Sequence, residues 1–170
     1  NENKNSFPLL FFRQGEFVQV NIIVSPPVTL ERSLFVSIKI DGMVRVAAAT
    51  PHVKVADCPY NKNEMAKMIR EAAANGASVI AFPELAMTGY TCGDLFKDRK
   101  LMESAKACLF DLIEETEDLD ILCAVGMPIP SGGALYNCAA VFSRGVLLGL
   151  PAKQHIPNYS EFYELRHFSP

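Results

Sequence analysis

Long hydrophobic runs are missing from this 170-residue sequence. The longest ones, such as 7–12 and 146–151, fall far short of the roughly 18 to 20 residues that cross a bilayer. The first five residues carry no net positive charge, and no small-residue cleavage site follows the short apolar run behind them. The sequence therefore predicts no transmembrane helix, no signal peptide and no membrane partner, and we expect a cytoplasmic location.

A concentration of positive charge is also missing, since the net charge is -3 and the pI is about 5.6. Such a chain has no basic field to attract a phosphate backbone, so nucleic acid is not an expected partner. The five cysteines are scattered and form no C-x-x-C pair. His155 and His167 stand without other ligand-type residues, so neither a disulfide framework nor a metal site is expected, and the cysteines are predicted to be buried free thiols.

What the sequence does contain from residue 43 onward is an alternation of strand-like and helical patterns, which predicts an α/β layered domain. Apolar residues recur at helical spacing in 61–75 and along 101–112. The run 77–82 is short and apolar and ends at Pro83, which favours a strand buried on both faces. Further strands are predicted at 43–50 and 121–125, followed by a hairpin of 135–142 and 146–150.

Residues 1–42 differ from the rest, with strand-like runs at 17–24 and 34–40 separated by Pro26-Pro27. Three interpretations stay open: an extra hairpin, a disordered segment, or sequence foreign to the domain. Met43 is followed at once by a clean strand pattern. We therefore predict an extra N-terminal segment at 1–42 and a domain at 43–170.

Glu84 is the first candidate for chemistry, because it follows the buried strand in Phe82-Pro83-Glu84-Leu85. Open α/β sheets bind ligands at the carboxyl ends of their strands, and a partly desolvated carboxylate there suits a general base. Glu84 equally fits a residue that caps the next helical turn.

Two other segments have the composition of a site. The loop 88–96 combines two glycines with aromatic and acidic residues, and loops of this kind at strand ends often shape sites. Its Cys92 has no neighbouring histidine, so a structural thiol is favoured over a nucleophile. Lys153 begins the polar and aromatic segment 153–166. It fits a site residue, because an ammonium beside a carboxylate stabilises an oxyanion, and it also fits an isolated, solvated surface lysine.

The motif Ser131-Gly132-Gly133 resembles the start of an ATP-binding loop but lacks the rest of it. We therefore predict a turn at this motif.

Taken together, F-P-E-L at 82–85, Y-T-C-G-D-L-F at 90–96 and K-x-x-I-P-N-Y-x-E-F-Y-E-x-R at 153–166 resemble the nitrilase superfamily, and within it the glutaminase domain of glutamine-dependent NAD(+) synthetases. The resemblance covers about residues 43–168. It implies the N-terminal portion of an α-β-β-α sandwich. It also implies Glu84 as general base, Lys153 as the triad lysine, Tyr159 as a glutamine-binding residue, and Phe162 and Glu164 as residues that line or order the pocket.

The chemistry that the resemblance implies is attack of a cysteine thiolate on the side-chain amide of glutamine, release of ammonia, and hydrolysis of a glutamyl thioester. The nucleophilic cysteine of such domains lies beyond the triad lysine, and no cysteine of this sequence matches it. We therefore expect the 170-residue chain alone to be inactive. By the same resemblance, this domain needs no cofactor. The expected partner is a C-terminal synthetase domain of the same parent chain, which uses ATP and magnesium. The parent protein is expected to be a homo-oligomer.

Two alternatives stay open. A free-standing nitrilase-type amidase would use the same pair of residues for a different amide. A non-catalytic interaction module would retain the layered fold without the nucleophile, with the apolar strand runs of 1–42 available to pair with a sheet edge.

Overall fold

The computed structural model describes residues 6–13, 16–23 and 44–170, and the chain divides into two compact units, Asn1–Val46 and Ala47–Pro170. In the first unit, β1 (Ser6–Arg13) and β2 (Glu16–Ile23) form an antiparallel pair. The strand predicted at 17–24 is confirmed as β2. The other predicted strand, at 34–40, lies outside the described residues.

The remaining strands form one mixed sheet, which confirms the α/β class. They are β3 (Val46–Ala48), β4 (Val79–Ala81), β5 (Leu122–Ser131), β6 (Ala134–Ser143) and β7 (Val146–Gly149), in the spatial order β3-β4-β5-β6-β7. The pair β4 and β5 is parallel, whereas β5, β6 and β7 are connected as antiparallel neighbours. The order follows the chain because each of the first two connections contains a helix that returns the chain to the next strand position, and the last strands are joined by tight turns.

Helix α1 spans Cys58–Ala74 and begins three residues before the predicted start. Asp57 precedes it and accepts a hydrogen bond from the Tyr60 backbone N–H at 3.1 Å, while Pro59 occupies the first turn, where no backbone donor is required. The predicted stop is confirmed at Gly76, whose φ of 75° lies in the left-handed region.

Helix α2 spans Arg99–Glu115, and the Asp98 side chain caps it by accepting a hydrogen bond from Lys100 N at 2.7 Å. The apolar stripe expected from the sequence is its buried side. It packs with α1 and the central strands into one core. The buried residues of α2 are Leu101, Ala105, Cys108, Leu109, Leu112 and Ile113.

Strand β4 corrects one expectation, because it is not buried on both faces. Ile80 is 1% exposed and points into the core that holds its cross-strand neighbour Cys123, but Ala81 is exposed. Both helices pack on the face that carries Ile80. In the described part of the chain the architecture is thus one helical layer on one sheet, which is half of the predicted sandwich.

Two tight turns connect the last strands as predicted. Ser131-Gly132-Gly133 joins β5 to β6, and Arg144-Gly145 joins β6 to β7 with φ values of 48° and 75°, as hairpin turns of this length require. Neither α1, α2 nor any other helix in the described residues has the length and apolarity of a membrane span.

Candidate functional site

Glu84 lies three residues beyond the end of β4, in a compact turn at the carboxyl edge of the sheet. The next residue, Leu85, is fully buried and has a φ of 53°, a conformation that a branched side chain rarely adopts. Its carbonyl accepts hydrogen bonds from Thr88 N at 3.1 Å and Gly89 N at 2.7 Å. This strained turn buries Leu85 beneath the sheet edge, while the Glu84 side chain stays 51% exposed.

Gly126 of β5 lies directly against the Glu84 turn. A Cβ atom built on Gly126 would meet the Pro83 carbonyl oxygen at 2.3 Å, Leu85 N at 2.5 Å and Glu84 Cα at 2.7 Å. The Gly126 carbonyl also accepts a hydrogen bond from Met87 N at 3.1 Å. Because all three close atoms belong to the backbone, only glycine permits the turn to cross β5 at this distance.

Lys153 is held by backbone pairing that continues past the end of β7. Its backbone N–H donates to the Asn137 carbonyl at 2.8 Å, Ala139 N donates to the Pro151 carbonyl at 3.0 Å, and Ala152 forms an isolated bridge with Cys138. The segment before the lysine is therefore fixed to β6, and the position of Lys153 is set by the sheet.

The Lys153 ammonium lies between two carboxylates. Its Nζ is 3.0 and 2.9 Å from the Glu84 oxygens and 3.2 and 3.0 Å from the Glu164 oxygens. Burial alone lowers the pKa of Lys153, but the hydrogen bonds to Glu84 and Glu164 outweigh it and raise the pKa above the ordinary value. Lys153 is therefore charged at neutral pH, and it holds the Glu84 carboxylate in place.

Glu164 opens a short 3₁₀ helix, Glu164–Arg166, and is 6% exposed. Besides Lys153, it accepts a hydrogen bond from the Tyr90 hydroxyl at 2.8 Å. Burial, followed by the hydrogen bond to Glu164, raises the pKa of Tyr90 to about 12. A buried carboxylate needs such partners, and here both come from groups that remain protonated at neutral pH.

The loop that carries Tyr90 and the segment that carries Glu164 are clamped together. Arg166 donates to both oxygens of Asp94 at 3.0 to 3.2 Å, in a fork geometry. Phe96 packs edge-on against Phe168, with ring centroids 5.0 Å apart. This clamp explains how two segments distant in sequence bring Tyr90 and Glu164 together.

A cavity of about 470 Å³ opens above these groups. Tyr159 and Phe162 form its aromatic side, with ring centroids 5.6 Å apart. The structure thus brings all of the predicted site residues to one cavity, and the role of each residue stays a prediction. The residues that line it are Pro83, Glu84, Tyr90, Lys153, Pro157, Tyr159, Phe162 and Glu164.

Sequence reasoning missed two residues of the site, Tyr90 and Asn137. Tyr90 belongs to the loop that its composition singled out, but nothing in the pattern indicated which aromatic ring faces Glu164. The Asn137 carboxamide donates to Glu84 Oε2 at 3.1 Å. The signal for Asn137 was a polar residue within the otherwise apolar run 134–142.

The five cysteines are buried free thiols, as expected, and none of them lines the cavity. Burial raises the pKa of Cys58 to about 11 and that of Cys123 to about 12, and it raises the pKa of the others as well. Cys92, the tempting candidate, is 5% exposed and makes a hydrogen bond to the Thr88 carbonyl at 3.1 Å. These thiols lack the environment that generates a thiolate.

A second cavity, of about 740 Å³, lies between the Ser131-Gly132-Gly133 turn and segment 165–169. None of the predicted catalytic residues lines it, and the Arg166 and Lys97 side chains at its edge pair with Asp94. His167 packs against Phe96, and burial lowers its pKa. Residues 44–170 contain no group of three metal-ligand side chains.

The hydrogen bond between Tyr90 and Glu164 leads to a prediction. Tyr90→Phe removes one donor from a buried carboxylate that retains Lys153; because Tyr90 is 43% exposed and solvent screens part of this bond, we expect the free energy of unfolding at pH 7 to fall by about 0.5 to 1 kcal/mol. Since the pKa of Tyr90 is raised from 10.0 to about 12, this contribution is complete below pH 10 and is lost as pH rises toward 12. Urea denaturation of the wild type and of Tyr90→Phe across this pH range measures the difference in the free energy of unfolding.

The matched control is Tyr163→Phe, because the Tyr163 side chain is 69% exposed. We expect this control to change the free energy of unfolding by less than about 0.5 kcal/mol. Equal losses in the two variants would contradict the assignment of the Tyr90 hydroxyl to Glu164.

Comparison with known proteins gives a consistent result. The carbon-nitrogen hydrolase family model matches residues 45–170. The chain is 37% identical over 129 residues to the glutamine-dependent NAD(+) synthetase of Mycobacterium tuberculosis, a match that covers 76% of this chain and 19% of that protein. The chain therefore spans about a fifth of the length of this relative.

Solved structures agree on the fold. The glutamine-dependent NAD(+) synthetase of Cytophaga hutchinsonii superimposes with a TM-score of 0.70 at 30% identity, over 74% of this chain and 21% of that one. An amidase from Nesterenkonia sp. gives a TM-score of 0.61 at 20% identity, over 75% of this chain and 48% of that one, and shows the fold alone. Since the family model covers most of the sequence, and the acidic and lysine side chains of 82–85 and 153–166 meet in one cavity, the chain belongs to the carbon-nitrogen hydrolase family.

Proposed function

We propose that residues 45–170 form the front part of a glutamine-hydrolysing site in a glutamine-dependent NAD(+) synthetase. The observation that carries the proposal is the ion pair of Glu84 with Lys153, at 2.9 to 3.0 Å, at the mouth of the cavity that Tyr159 and Phe162 border. The similarity to synthetases at 30% and 37% identity supports glutamine as the amide.

Each residue has a distinct part in the proposed reaction. Glu84 accepts the proton of a cysteine thiol, and the Lys153 ammonium stabilises the oxyanion that forms when the thiolate attacks the side-chain amide of glutamine. Tyr159 and Phe162 border the place where the glutamine side chain would lie. Glu164, which accepts a hydrogen bond from Tyr90, is the second carboxylate partner that holds the lysine.

The nucleophile in this proposal is a cysteine outside the 170 residues, because the five thiols present are buried and have raised pKa values. In this proposal the chain by itself releases no ammonia from glutamine. The released ammonia passes to a synthetase domain, which uses ATP and magnesium to amidate nicotinic acid adenine dinucleotide. We place the complete protein in the cytoplasm as a homo-oligomer. The hairpin turn Ser131-Gly132-Gly133 leads into a strand and not into a helix, so it does not fit an ATP-binding loop.

The test compares nitrogen donors in the complete protein that contains this chain. With ATP and nicotinic acid adenine dinucleotide, we expect NAD to form from glutamine and also from ammonium chloride, while the 170-residue chain alone releases no ammonia from glutamine. Release of ammonia from simple aliphatic amides, with no NAD formed, would favour a free-standing amidase. No turnover of any amide would favour the non-catalytic module.

A further inference from the structure

In the described structure, Asn137 hydrogen bonds both members of the Glu84–Lys153 pair, one through its side chain and the other through its backbone carbonyl. Its side-chain Nδ2 donates to Glu84 Oε2 at 3.1 Å, and its backbone carbonyl accepts from Lys153 N at 2.8 Å. The residue is 3% exposed. A buried carboxamide in a sheet is unfavourable unless it is hydrogen bonded, and this one uses its donor on the candidate base.

The position of Asn137 in the sheet follows from register. Asn137 pairs with Pro128 of β5, and Ala139, two residues further along β6, pairs with Gly126. Alternate residues of a strand share a face, so Asn137 lies on the same face as the glycine against which the Glu84 turn rests. The carboxamide therefore approaches Glu84 from the sheet, while Lys153 approaches from the segment after β7.

The two oxygens of Glu84 are not equivalent in this arrangement. Oε2 accepts from both Asn137 Nδ2 and Lys153 Nζ, whereas Oε1 accepts from Lys153 Nζ alone in the described contacts. A carboxylate oxygen has about two lone-pair sites, so Oε1 retains capacity that Oε2 has used. The oxygen with free capacity is the better proton acceptor.

We propose that Asn137 is a positioning residue of the glutamine-hydrolysing site, which occupies Oε2 of Glu84 and thereby directs the proton of the nucleophilic thiol to Oε1. This inference rests on the proposed function. In the step concerned, the S–H bond breaks as an Oε1–H bond forms, the thiolate keeps the electron pair, and the same proton later passes to the departing nitrogen. Asn137 itself gains and loses no proton.

The test uses Asn137→Leu in the complete protein, because leucine removes the donor and retains the backbone carbonyl that holds Lys153 N. Without this donor the ionised carboxylate loses a hydrogen bond, so the acidic limb of the pH profile of kcat/KM for glutamine should move to higher pH. We expect kcat with glutamine to fall about tenfold, with little change in KM and none in the ammonia-driven rate. Asn137→Asp, which retains the shape but adds a second carboxylate, should shift the limb further.

The control is Asn61→Leu, which removes another fully buried asparagine that hydrogen bonds Lys54 and Met87 and does not contact Glu84 or Lys153. It should lower thermal stability without moving the acidic limb. If Asn137→Leu folds and the acidic limb of its kcat/KM profile stays at the wild-type pH, the inference is overturned. If Asn137→Leu does not fold, the same result in Asn137→Asp overturns it. Absence of glutamine-driven NAD formation in the wild type would instead overturn the proposed function.

Discussion

Replacement of Glu84 by glutamine should lower glutamine-driven NAD formation in the complete protein by about 10³-fold and spare the ammonia-driven reaction. The amide retains the size of the side chain and can still accept from Lys153, but it takes no proton from a thiol. General-base catalysis contributes about 10²- to 10⁴-fold, which sets the expected range. The measurement is the initial rate of NAD formation with each nitrogen donor at saturating ATP.

The structure also predicts that this variant remains folded. The Glu84 side chain is 51% exposed and the Lys153 ammonium keeps Glu164 as a partner, so we expect the free energy of unfolding to change by less than about 1 kcal/mol. Glu161→Gln is the matched control, since Glu161 is an exposed acid of segment 153–166 that does not line the cavity. Equal glutamine-driven rates in Glu84→Gln and wild type would refute the assignment of the base.

The sequence was sufficient to predict the elements of the domain because its local signals agree with its packing. The apolar stripe of 101–112 is the buried side of α2, and Gly76 ends α1 in the left-handed conformation that glycine favours. The start of α1 was predicted late because the polar Asn61, although buried, interrupts the apolar stripe between Cys58 and Met65. The Asp57 side chain sets that boundary by accepting from the Tyr60 backbone N–H, and Pro59, which has no backbone N–H, fits the first turn.

The residues of the site were predictable only where a motif marked them. Glu84 and Lys153 come from segments with a strong resemblance, and both line the cavity. Tyr90 and Asn137 act through tertiary contacts with residues 74 and 53 positions away in sequence, and no local periodicity encodes such pairings. The exposure of Ala81 was mispredicted for a similar reason, because an apolar run does not reveal which face of a sheet its own helices cover.

Gly126→Ala should have the second largest effect, although Gly126 has no side chain to contribute to the chemistry. The new methyl group would lie 2.3 to 2.7 Å from backbone atoms of Pro83, Glu84 and Leu85, so the turn must move away from β5. A displacement of about 1 Å in a reacting group lowers a rate by about 10²-fold, and overpacking lowers stability by about 1 to 3 kcal/mol. We therefore expect glutamine-driven NAD formation to fall about a hundredfold, with the ammonia-driven rate nearly unchanged.

Gly149→Ala provides the matched control on strand β7 of the same sheet, because the nearest atom to its added Cβ, Cδ of Pro151, is 3.9 Å away, an ordinary contact. This control should stay within about 0.5 kcal/mol of wild type in stability and within about twofold in rate. If both alanine variants keep the wild-type rate with glutamine, the close approach of β5 does not set the position of Glu84. If only Gly126→Ala loses that rate while ammonia still supports synthesis, the sheet itself positions the base, since the substitution adds no charge and its methyl group first meets backbone atoms of the turn that carries Glu84.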